Sequence, residues 1–372
     1  MKKLGEVATN FMYGMNAAAT VYDGENQYIR ITDIDERTRL FTPNPLSSPD
    51  GELEDKYLLE KGDILFARTG ASVGKSYLYS EKDGKIFFAG FLIRLNVKTE
   101  NPYFIFSQTL TEKYQKWVLT MSMRSGQPGI NAEEYKLLPI ALPSFEEQSK
   151  IASFLSKIDE RITTQNKIIK ELKTLKASTA KKIFSQELRF KDDNGNDFPE
   201  WEVREVGEVF KITRGNVLAM NLVSNQCNEK NTYPVYSSQT KNNGLAGYYT
   251  DFLFEDAITW TTDGANAGDV NYRSGKFYCT NVCGVLISNE GYANSCIAEL
   301  INSVSKNYVS YVGNPKLMNG VMSEIKIPFP SLPEQTKIAN FLSAIDSKID
   351  MENQLLQKLE EQKKYLLQNM FV

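Results

Sequence analysis

The chain has 372 residues, of which 41 % are hydrophobic and 24 % are charged, a composition typical of globular proteins and not of disordered or fibrous ones. It contains no histidine, which excludes Ser-His-Asp and Cys-His nucleophilic sites, histidine-ligated zinc and imidazole bases. The net charge of −3 does not by itself point to nucleic acid, and the absence of an apolar signal core or membrane span predicts a cytoplasmic protein without a membrane partner.

The segment 1–142 predicts a first domain of mixed α and β structure. It is rich in Tyr, Phe, Val, Gly and Asn, and short β-like runs at 28–31, 63–67 and 87–95 are separated by turn residues. Large aromatic side chains more often fill a core than stack on bases. We therefore expect the following aromatic residues of the chain to be buried: Tyr13, Tyr28, Trp117, Trp201 and Trp260.

Two polar loops of this domain are candidates for DNA contact. Segment 70–76 (GASVGKS) resembles a phosphate-binding loop, but it has three residues between its glycines where the Walker A pattern has four. Its hydroxyls and cations, like the Arg, Gln and Asn of segment 124–131 (RSGQPGIN), suit phosphates and base edges. A nucleotide-dependent enzyme is a less favoured alternative, and ordinary polar turns are another. The candidate DNA-binding residues here are Arg68, Thr69, Ser72, Lys75, Ser76, Arg124, Ser125, Gln127 and Asn131.

Segment 143–190 predicts a long helix that begins near Glu147 and Gln148, after Pro143. Its apolar residues repeat with a heptad period, which favours a coiled coil over an amphipathic core helix. The predicted seam residues are Ile151, Leu155, Ile158, Ile162, Ile169, Leu172 and Ile183. Segment 191–198 is polar, contains an Asp-Asn-Gly turn and predicts a linker.

Segment 199–329 predicts a second α+β domain, with a strand at 256–261. Its segments 236–243 (YSSQTKNN) and 261–266 (TTDGAN) are as dense in hydroxyls, amides and cations as the loops of the first domain. The candidate DNA-binding residues here are Ser237, Ser238, Gln239, Lys241, Asn242, Thr262, Asn266, Arg273, Asn314 and Lys316.

Segment 330–372 predicts a second long helix with the same heptad pattern. Its predicted seam residues are Ile338, Leu342, Ile345, Ile349, Leu356, Leu359, Leu366 and Met370. Polar residues interrupt the two seams at equivalent positions, which are Gln165 and Glu352 and then Lys176 and Lys363. We expect these polar residues to fix the register in which the helices pair. We find no metal-ligand cluster and no nucleophile arrangement, so we expect no metal and no catalytic residue in this chain.

The two halves of the chain are an internal repeat. Segments 143–162 (PSFEEQSKIASFLSKIDERI) and 330–349 (PSLPEQTKIANFLSAIDSKI) share 13 of 20 residues without gaps, at an offset of 187. The domains match more weakly, through LGEVA and VGEVF near their starts, through GAxxG in the middle, and through GQPGI and GNPKL near their ends. The sequence therefore predicts two diverged domains, each followed by the same kind of helix.

The repeat, the paired helix starts and the stretches YPVYSSQ, ITWTTDGANAG and ARTGASVGK resemble the specificity subunit of type I restriction–modification enzymes over essentially the whole chain. The resemblance implies an α+β fold with two mixed α/β target recognition domains separated by two long antiparallel coiled-coil helices, in a pseudo-two-fold internal repeat. It implies a non-catalytic subunit in which each domain reads one half of a bipartite sequence in double-stranded DNA, while the helices set the spacing and dock methyltransferase subunits, of which we expect two.

The resemblance also implies how catalysis is divided among partners. No cofactor is expected in this chain; the partner methyltransferase would use S-adenosylmethionine, and a partner restriction subunit would use ATP and magnesium. A coiled-coil scaffold that binds only proteins is the alternative from another functional class.

Overall fold

The computed structural model describes residues 1–123, 126–238 and 241–371. Contacts group the chain into two units. Unit 1 comprises Met1–Lys167 and Asn353–Val372, and unit 2 comprises Ile168–Glu352.

Unit 1 combines short strands with helices. Its strands in chain order are β1 (Lys2–Lys3), β2 (Thr9–Tyr13), β3 (Ala19–Val21), β4 (Gln27–Ile29), β5 (Ser47–Pro49), β6 (Asp63–Ala67), β7 (Ser76–Leu78), β8 (Ile86–Phe88), β9 (Leu92–Asn96) and β10 (Pro139–Ile140). Its helices are α1 (Leu4–Val7), α2 (Pro102–Gln108), α3 (Glu112–Ser122), α4 (Ala132–Lys136) and the first part of α5 (Phe145–Phe184). The main sheet has the antiparallel order β2-β9-β6-β7, and β4 pairs with β8 in parallel.

Strand β6 explains how unit 1 is layered, because every one of its residues is buried. On one face of the strand, Ile64 and Phe66 belong to the same hydrophobic cluster as Tyr114 of α3. On the other face, Leu65 packs in a second cluster with Phe88 of β8. A strand buried on both faces need not alternate apolar with polar residues, which is why the residues that follow Asp63 in this strand, ILFA, are all apolar.

Unit 2 is built around a larger sheet. Its strands are β11 (Glu202–Glu205), β12 (Lys211–Arg214), β13 (Tyr233–Tyr236), β14 (Leu245–Tyr249), β15 (Phe254–Thr261), β16 (Val270–Cys279), β17 (Cys283–Ile287) and β18 (Lys326–Phe329). Its helices are α6 (Val206–Val209), α7 (Ser295–Ser305), α8 (Asn319–Ser323) and the first part of α9 (Leu332–Met370). The sheet order is β12-β17-β15-β16-β13-β14, in which β13 runs parallel to β16.

The predicted strand runs are confirmed in part. The run predicted at 28–31 ends as a strand at Ile29 and continues as a 3₁₀ turn. The run predicted at 87–95 is wrong as a single strand, because the chain turns between β8 and β9, where the backbone N–H of Gly90 donates to the Met15 carbonyl at 2.8 Å. The other two predicted runs form strands at the expected places.

The equivalent glutamines at the starts of the long helices, Gln148 and Gln335, have the same structural role in each unit. The Gln148 amide donates to the Pro143 carbonyl at 3.0 Å and accepts from the backbone N–H of Asn101, which caps α2. In unit 2 the Gln335 amide donates to the Pro330 carbonyl at 2.8 Å and accepts from the side chain of Asn294, the cap of α7. Each buried glutamine therefore joins a long helix to its own globular part.

All fifteen predicted seam residues are buried or half-buried. In unit 1, Leu155 of α5 packs in one hydrophobic cluster with Leu367 of α9 and with Phe371, which follows that helix. In unit 2, Ile183 of α5 packs in one cluster with Ile338 of α9. The two helices therefore pack together within each unit.

The lysines that interrupt the predicted seams form equivalent ion pairs inside each unit. Lys363 pairs with Asp159 at 2.6 Å in unit 1, and Lys176 pairs with Asp346 at 2.8 Å in unit 2. Both pairs link α5 to α9, and their members are related by the offset of 187. Although burial of the Lys176 ammonium opposes it, hydrogen bonds to the carboxylates of Asp346 and Glu299 raise the pKa of Lys176. In each unit the ion pair therefore joins α5 to α9 in addition to their apolar contacts.

The exposure of the four cysteines predicts how many of them a thiol reagent labels in the native protein. Cys227 is exposed, whereas Cys279, Cys283 and Cys296 are buried. Burial raises the pKa of Cys283 to about 11 and raises the pKa of the other two buried thiols further. Because the thiolate is the reactive form, we expect a disulfide reagent at pH 8 to label one cysteine of the native protein and all four after unfolding. Rapid labelling of a second cysteine in native buffer would contradict the structure.

Candidate nucleic-acid interface

Two loops that the sequence singled out meet in unit 1. We name residues 68–75 the glycine loop and residues 126–130 the proline loop. The backbone N–H of Gly70 donates to the Pro128 carbonyl at 3.0 Å, and the N–H of Ile130 donates to the Arg68 carbonyl at 2.9 Å. These two bonds lie on the main chain, so the loops are joined independently of the side chains they carry.

Unit 2 has the same arrangement, with residues 262–269 as its glycine loop and residues 313–317 as its proline loop. The backbone N–H of Gly264 donates to the Pro315 carbonyl at 2.9 Å, and the N–H of Leu317 donates to the Thr262 carbonyl at 2.9 Å. The weak sequence match GAxxG is therefore accompanied by a match of backbone hydrogen bonds.

The second glycine of each glycine loop closes it in the same way. Gly74 has a φ of +83° and donates to the Ala67 carbonyl at 2.9 Å; Gly268 has a φ of +87° and donates to the Thr261 carbonyl at 2.9 Å. Residues with a side chain rarely adopt this positive φ. The glycines are thus required by the backbone geometry of the loop.

A third loop, which follows a parallel strand, adjoins the glycine loop in each unit. In unit 1 this is the β4 loop (residues 30–36), and the Lys75 ammonium donates to the Ile34 carbonyl at 3.1 Å. In unit 2 it is the β13 loop (residues 237–244), and the Asn266 amide donates to the Ser238 carbonyl at 2.9 Å. Different side chains therefore make the same connection.

The structure places the predicted residues of unit 1 in two groups. The residues that reach the surface in whole or in part are Arg68, Thr69, Ser72, Gln127 and Asn131. Asn131 also caps α4, because its side-chain oxygen accepts from the backbone N–H of Glu134. Arg124 and Ser125 lie outside the described residues.

The structure corrects the prediction that Lys75 and Ser76 of unit 1 are available to contact DNA, because both are buried. The Lys75 side chain is 8 % exposed, and besides its bond to Ile34 it pairs with Glu36 at 2.7 Å. The Ser76 hydroxyl is buried against the Thr109 hydroxyl at 2.6 Å. Both side chains support the loops from inside and do not present a donor to DNA. In a nucleotide-binding loop the lysine has to reach the phosphates. Because Lys75 is instead bound to Ile34 and Glu36, the hypothesis of a nucleotide-dependent enzyme loses its main support.

Unit 2 presents most of its predicted residues at the surface. Those exposed or half-exposed are Ser237, Ser238, Asn242, Asn266, Asn314 and Lys316. Gln239 lies outside the described residues, and the side chain of Lys241 is not described.

Thr262 and Arg273 are corrections for unit 2. The Thr262 hydroxyl is buried and donates to the Val282 carbonyl at 3.0 Å. Arg273 is 8 % exposed, and burial lowers its pKa. Its Nε donates to the Thr259 hydroxyl, and its guanidinium lies 3.8 Å from the centre of the Tyr236 ring. Arg273 therefore supports the end of β13 and the loop that follows, so its contribution to recognition would be indirect.

Sequence reasoning missed two aromatic residues at this surface. Tyr13 was expected in the core but is 41 % exposed, and Phe91, taken as part of a strand, is 60 % exposed. Both rings flank Arg68. Tyr28, Trp201 and Trp260 are buried as expected, and Trp117 is half-buried. No pattern in the sequence distinguishes Tyr13 from the buried aromatics.

Two further features of the described part of the chain bear on the chemistry of the site. Within residues 1–123, 126–238 and 241–371, no group of three or more Cys, Asp and Glu side chains is arranged to hold a metal ion. No helix in the described part of the chain has the length and apolarity that crossing a membrane requires.

Comparison with known proteins identifies the family. The model of the family described as "Type I restriction modification DNA specificity domain" matches residues 2–174 and 199–361 of this chain. A protein of Mycoplasma pneumoniae described as the N-terminus of a putative type I specificity subunit is 40 % identical to this chain over 141 residues. The match covers 37 % of this chain and 74 % of that protein. The putative MjaX specificity subunit of Methanocaldococcus jannaschii is 28 % identical over 336 residues, 84 % of this chain and 78 % of that protein.

Solved structures show a similar fold. The S subunit of a type I restriction–modification system from M. genitalium has a TM-score of 0.67 at 19 % identity, with 100 % of this chain and 95 % of that chain covered. A chain from a study of the assembly and conformational transition of the type I system has a TM-score of 0.57 at 14 % identity, with 98 % and 95 % covered. The family match extends over both repeats, and we conclude that this chain belongs to the type I restriction–modification DNA specificity family, whose members are specificity subunits and not catalytic ones.

Proposed function

We propose that each unit reads one half of a bipartite target in double-stranded DNA through its glycine, proline and adjoining third loops. The observation that carries this proposal is the repeated backbone frame, which holds different side chains at equivalent positions in the two units. Two domains that recognise different DNA sequences need different side chains at the bases, because base contacts supply specificity. They can present these side chains on the same backbone frame. Family membership supports the same function.

We propose that the catalytic steps belong to partner subunits acting on DNA in the cytoplasm. A methyltransferase, with two copies per specificity subunit, would bring S-adenosylmethionine, and a restriction subunit would bring ATP and magnesium. The long helices would form an antiparallel coiled coil whose length sets the gap between half-sites and which docks the methyltransferase. The buried seam and the equivalent lysine ion pairs support this arrangement.

A matched pair of substitutions tests the two-reader proposal. Gln127 and Asn314 occupy equivalent positions of the two proline loops, at the offset of 187, and both are exposed. We expect Gln127→Ala to relax one half-site and Asn314→Ala to relax the other, each by about 1–3 kcal/mol of discrimination at the affected base pair. The measurement is the methylated motif in DNA from cells that express the chain with its methyltransferase.

The control is Asn194→Ala, in the exposed linker, which should leave both half-sites unchanged. If either loop substitution relaxed both half-sites to the same extent, the two units would not read independently. If the assembled complex bound methyltransferase but methylated without sequence preference, the scaffold alternative would replace the proposal.

A further inference from the structure

Arg68 occupies a distinctive position, at the first residue of the glycine loop of unit 1. Its backbone N–H donates to the Phe91 carbonyl at 3.1 Å, and its carbonyl accepts from Ile130 at 2.9 Å. Its guanidinium carbon lies 4.9 Å from the centre of the Tyr13 ring and 5.7 Å from the centre of the Phe91 ring. The main chain and the aromatic rings therefore restrict where this guanidinium can point.

The described residues of unit 1 make no use of the side-chain donors of Arg68. Its Nε is buried without a hydrogen-bond partner, and among the described residues no carboxylate pairs with the guanidinium. Buried polar groups of native proteins are nearly always paired, so an unpaired buried donor requires an explanation. The rings that flank Arg68 are themselves partly exposed, which places this guanidinium at the surface rather than in a closed core.

The equivalent position of unit 2 carries different chemistry. Thr262 takes the place of Arg68, as shown by its N–H bond to the Val282 carbonyl at 3.0 Å, which matches the bond from Arg68 to Phe91. The Thr262 side chain is buried, and Val282 supplies no aromatic ring. The same backbone position is therefore an aromatic-flanked arginine in one unit and a buried threonine in the other. Both loops keep the same backbone bonds with either residue, so building the loop does not require an arginine at this position.

We infer that Arg68 reads a guanine in the half-site recognised by unit 1, with Tyr13 and Phe91 holding the plane of its guanidinium. This inference rests on the proposed function. Arginine donates two N–H groups to O6 and N7 of guanine in the major groove, and a guanidinium confined by rings is pre-organised for such planar contact. A phosphate contact would need only the positive charge, which a lysine also supplies.

The test compares Arg68→Lys and Arg68→Gln with the unchanged chain, each assembled with its methyltransferase, by sequencing methylated DNA. We expect Arg68→Gln to lose the preference for guanine at one position of one half-site by about 10- to 100-fold, and Arg68→Lys, which keeps the charge without the planar donors, to lose less. Phe91→Leu should weaken the same preference to a smaller extent, because it removes one ring while retaining Arg68. The second half-site, read by the other unit of the same molecule, reports whether each variant is folded.

The outcomes separate the inference from the proposed function. If the unchanged chain yields no bipartite motif, the proposed function fails. If that motif appears and Arg68→Gln retains the guanine preference, the guanine contact is overturned. Uniform weakening of methylation across all sequences, with a smaller dependence on salt, would show a phosphate contact instead and would also overturn the inference.

Discussion

Replacing Glu334 with alanine is expected to destabilise unit 2 by about 1–3 kcal/mol. The Glu334 carboxylate is fully buried, accepts from the indole N–H of Trp201 at 2.8 Å and pairs with Arg189 at 3.0 Å. Alanine would leave that buried indole N–H without its acceptor, and an unsatisfied buried donor is costly. It would also remove the charged partner of Arg189, which would keep only its bonds to the Phe198 and Pro199 carbonyls and its exposed partner Glu200. Urea unfolding of the full chain, with hydrogen exchange in the peptides of unit 2, measures the loss.

The internal repeat provides a matched control for this substitution. Glu147 is the equivalent residue of the first helix start, but it is exposed, and among the described residues its carboxylate has no recorded partner. We expect Glu147→Ala to change stability by no more than about 0.5 kcal/mol. Equal losses from Glu147→Ala and Glu334→Ala would show that the buried contacts of Glu334 do not stabilise unit 2.

Substituting alanine at Gly14 or Gly215 should cost about 3 kcal/mol in the unit that contains it. A β-carbon on Gly14 would lie 2.3 Å from the carbonyl oxygens of Phe88 and Ala89, and a β-carbon on Gly215 would lie 2.2 Å from the carbonyl oxygen of Cys279. These neighbours are backbone atoms of the parallel-paired strand region, so they cannot rotate away as a side chain would. Thermal unfolding followed by circular dichroism measures the effect.

Gly320→Ala is the control for these two substitutions. No atom lies within 4 Å of the β-carbon that this change would add, and Gly320 is in α8. Alanine is the better helix former, so we expect stability to stay the same or to rise by up to about 1 kcal/mol. A loss at Gly320 comparable to that at Gly14 would mean that glycine is required for reasons other than space.

The parts of the fold that could be predicted from the sequence are those with a strong local pattern. The heptad period predicted both long helices, and the short, mainly apolar run DILFA predicted β6. The turn between β8 and β9 could not be predicted, because it depends on a hydrogen bond from Gly90 to Met15, a residue far away in the chain. Apolar sequence on both sides of such a turn gives no local signal.

The candidate site was predictable at the level of loops but not of side chains. The recurrence of GAxxG and of the proline loop in both halves indicated segments that the structure joins by backbone hydrogen bonds in each unit. Composition did not reveal that Lys75 is buried, since its partners Ile34 and Glu36 lie on a separate loop. It did not reveal the exposure of Tyr13 either, because burial of an aromatic ring depends on what the rest of the chain places over it.

The main-chain bonds between the glycine and proline loops have an evolutionary consequence. They constrain the backbone, and glycine is required at Gly70, Gly74, Gly264 and Gly268, which have positive φ angles. Exposed neighbours such as Gln127 and Asn314 contribute no side chain to these bonds. Mutation can therefore vary them at little cost in folding stability. A lineage carrying this chain could acquire new DNA targets by single substitutions, each tested by selection in a protein that still folds.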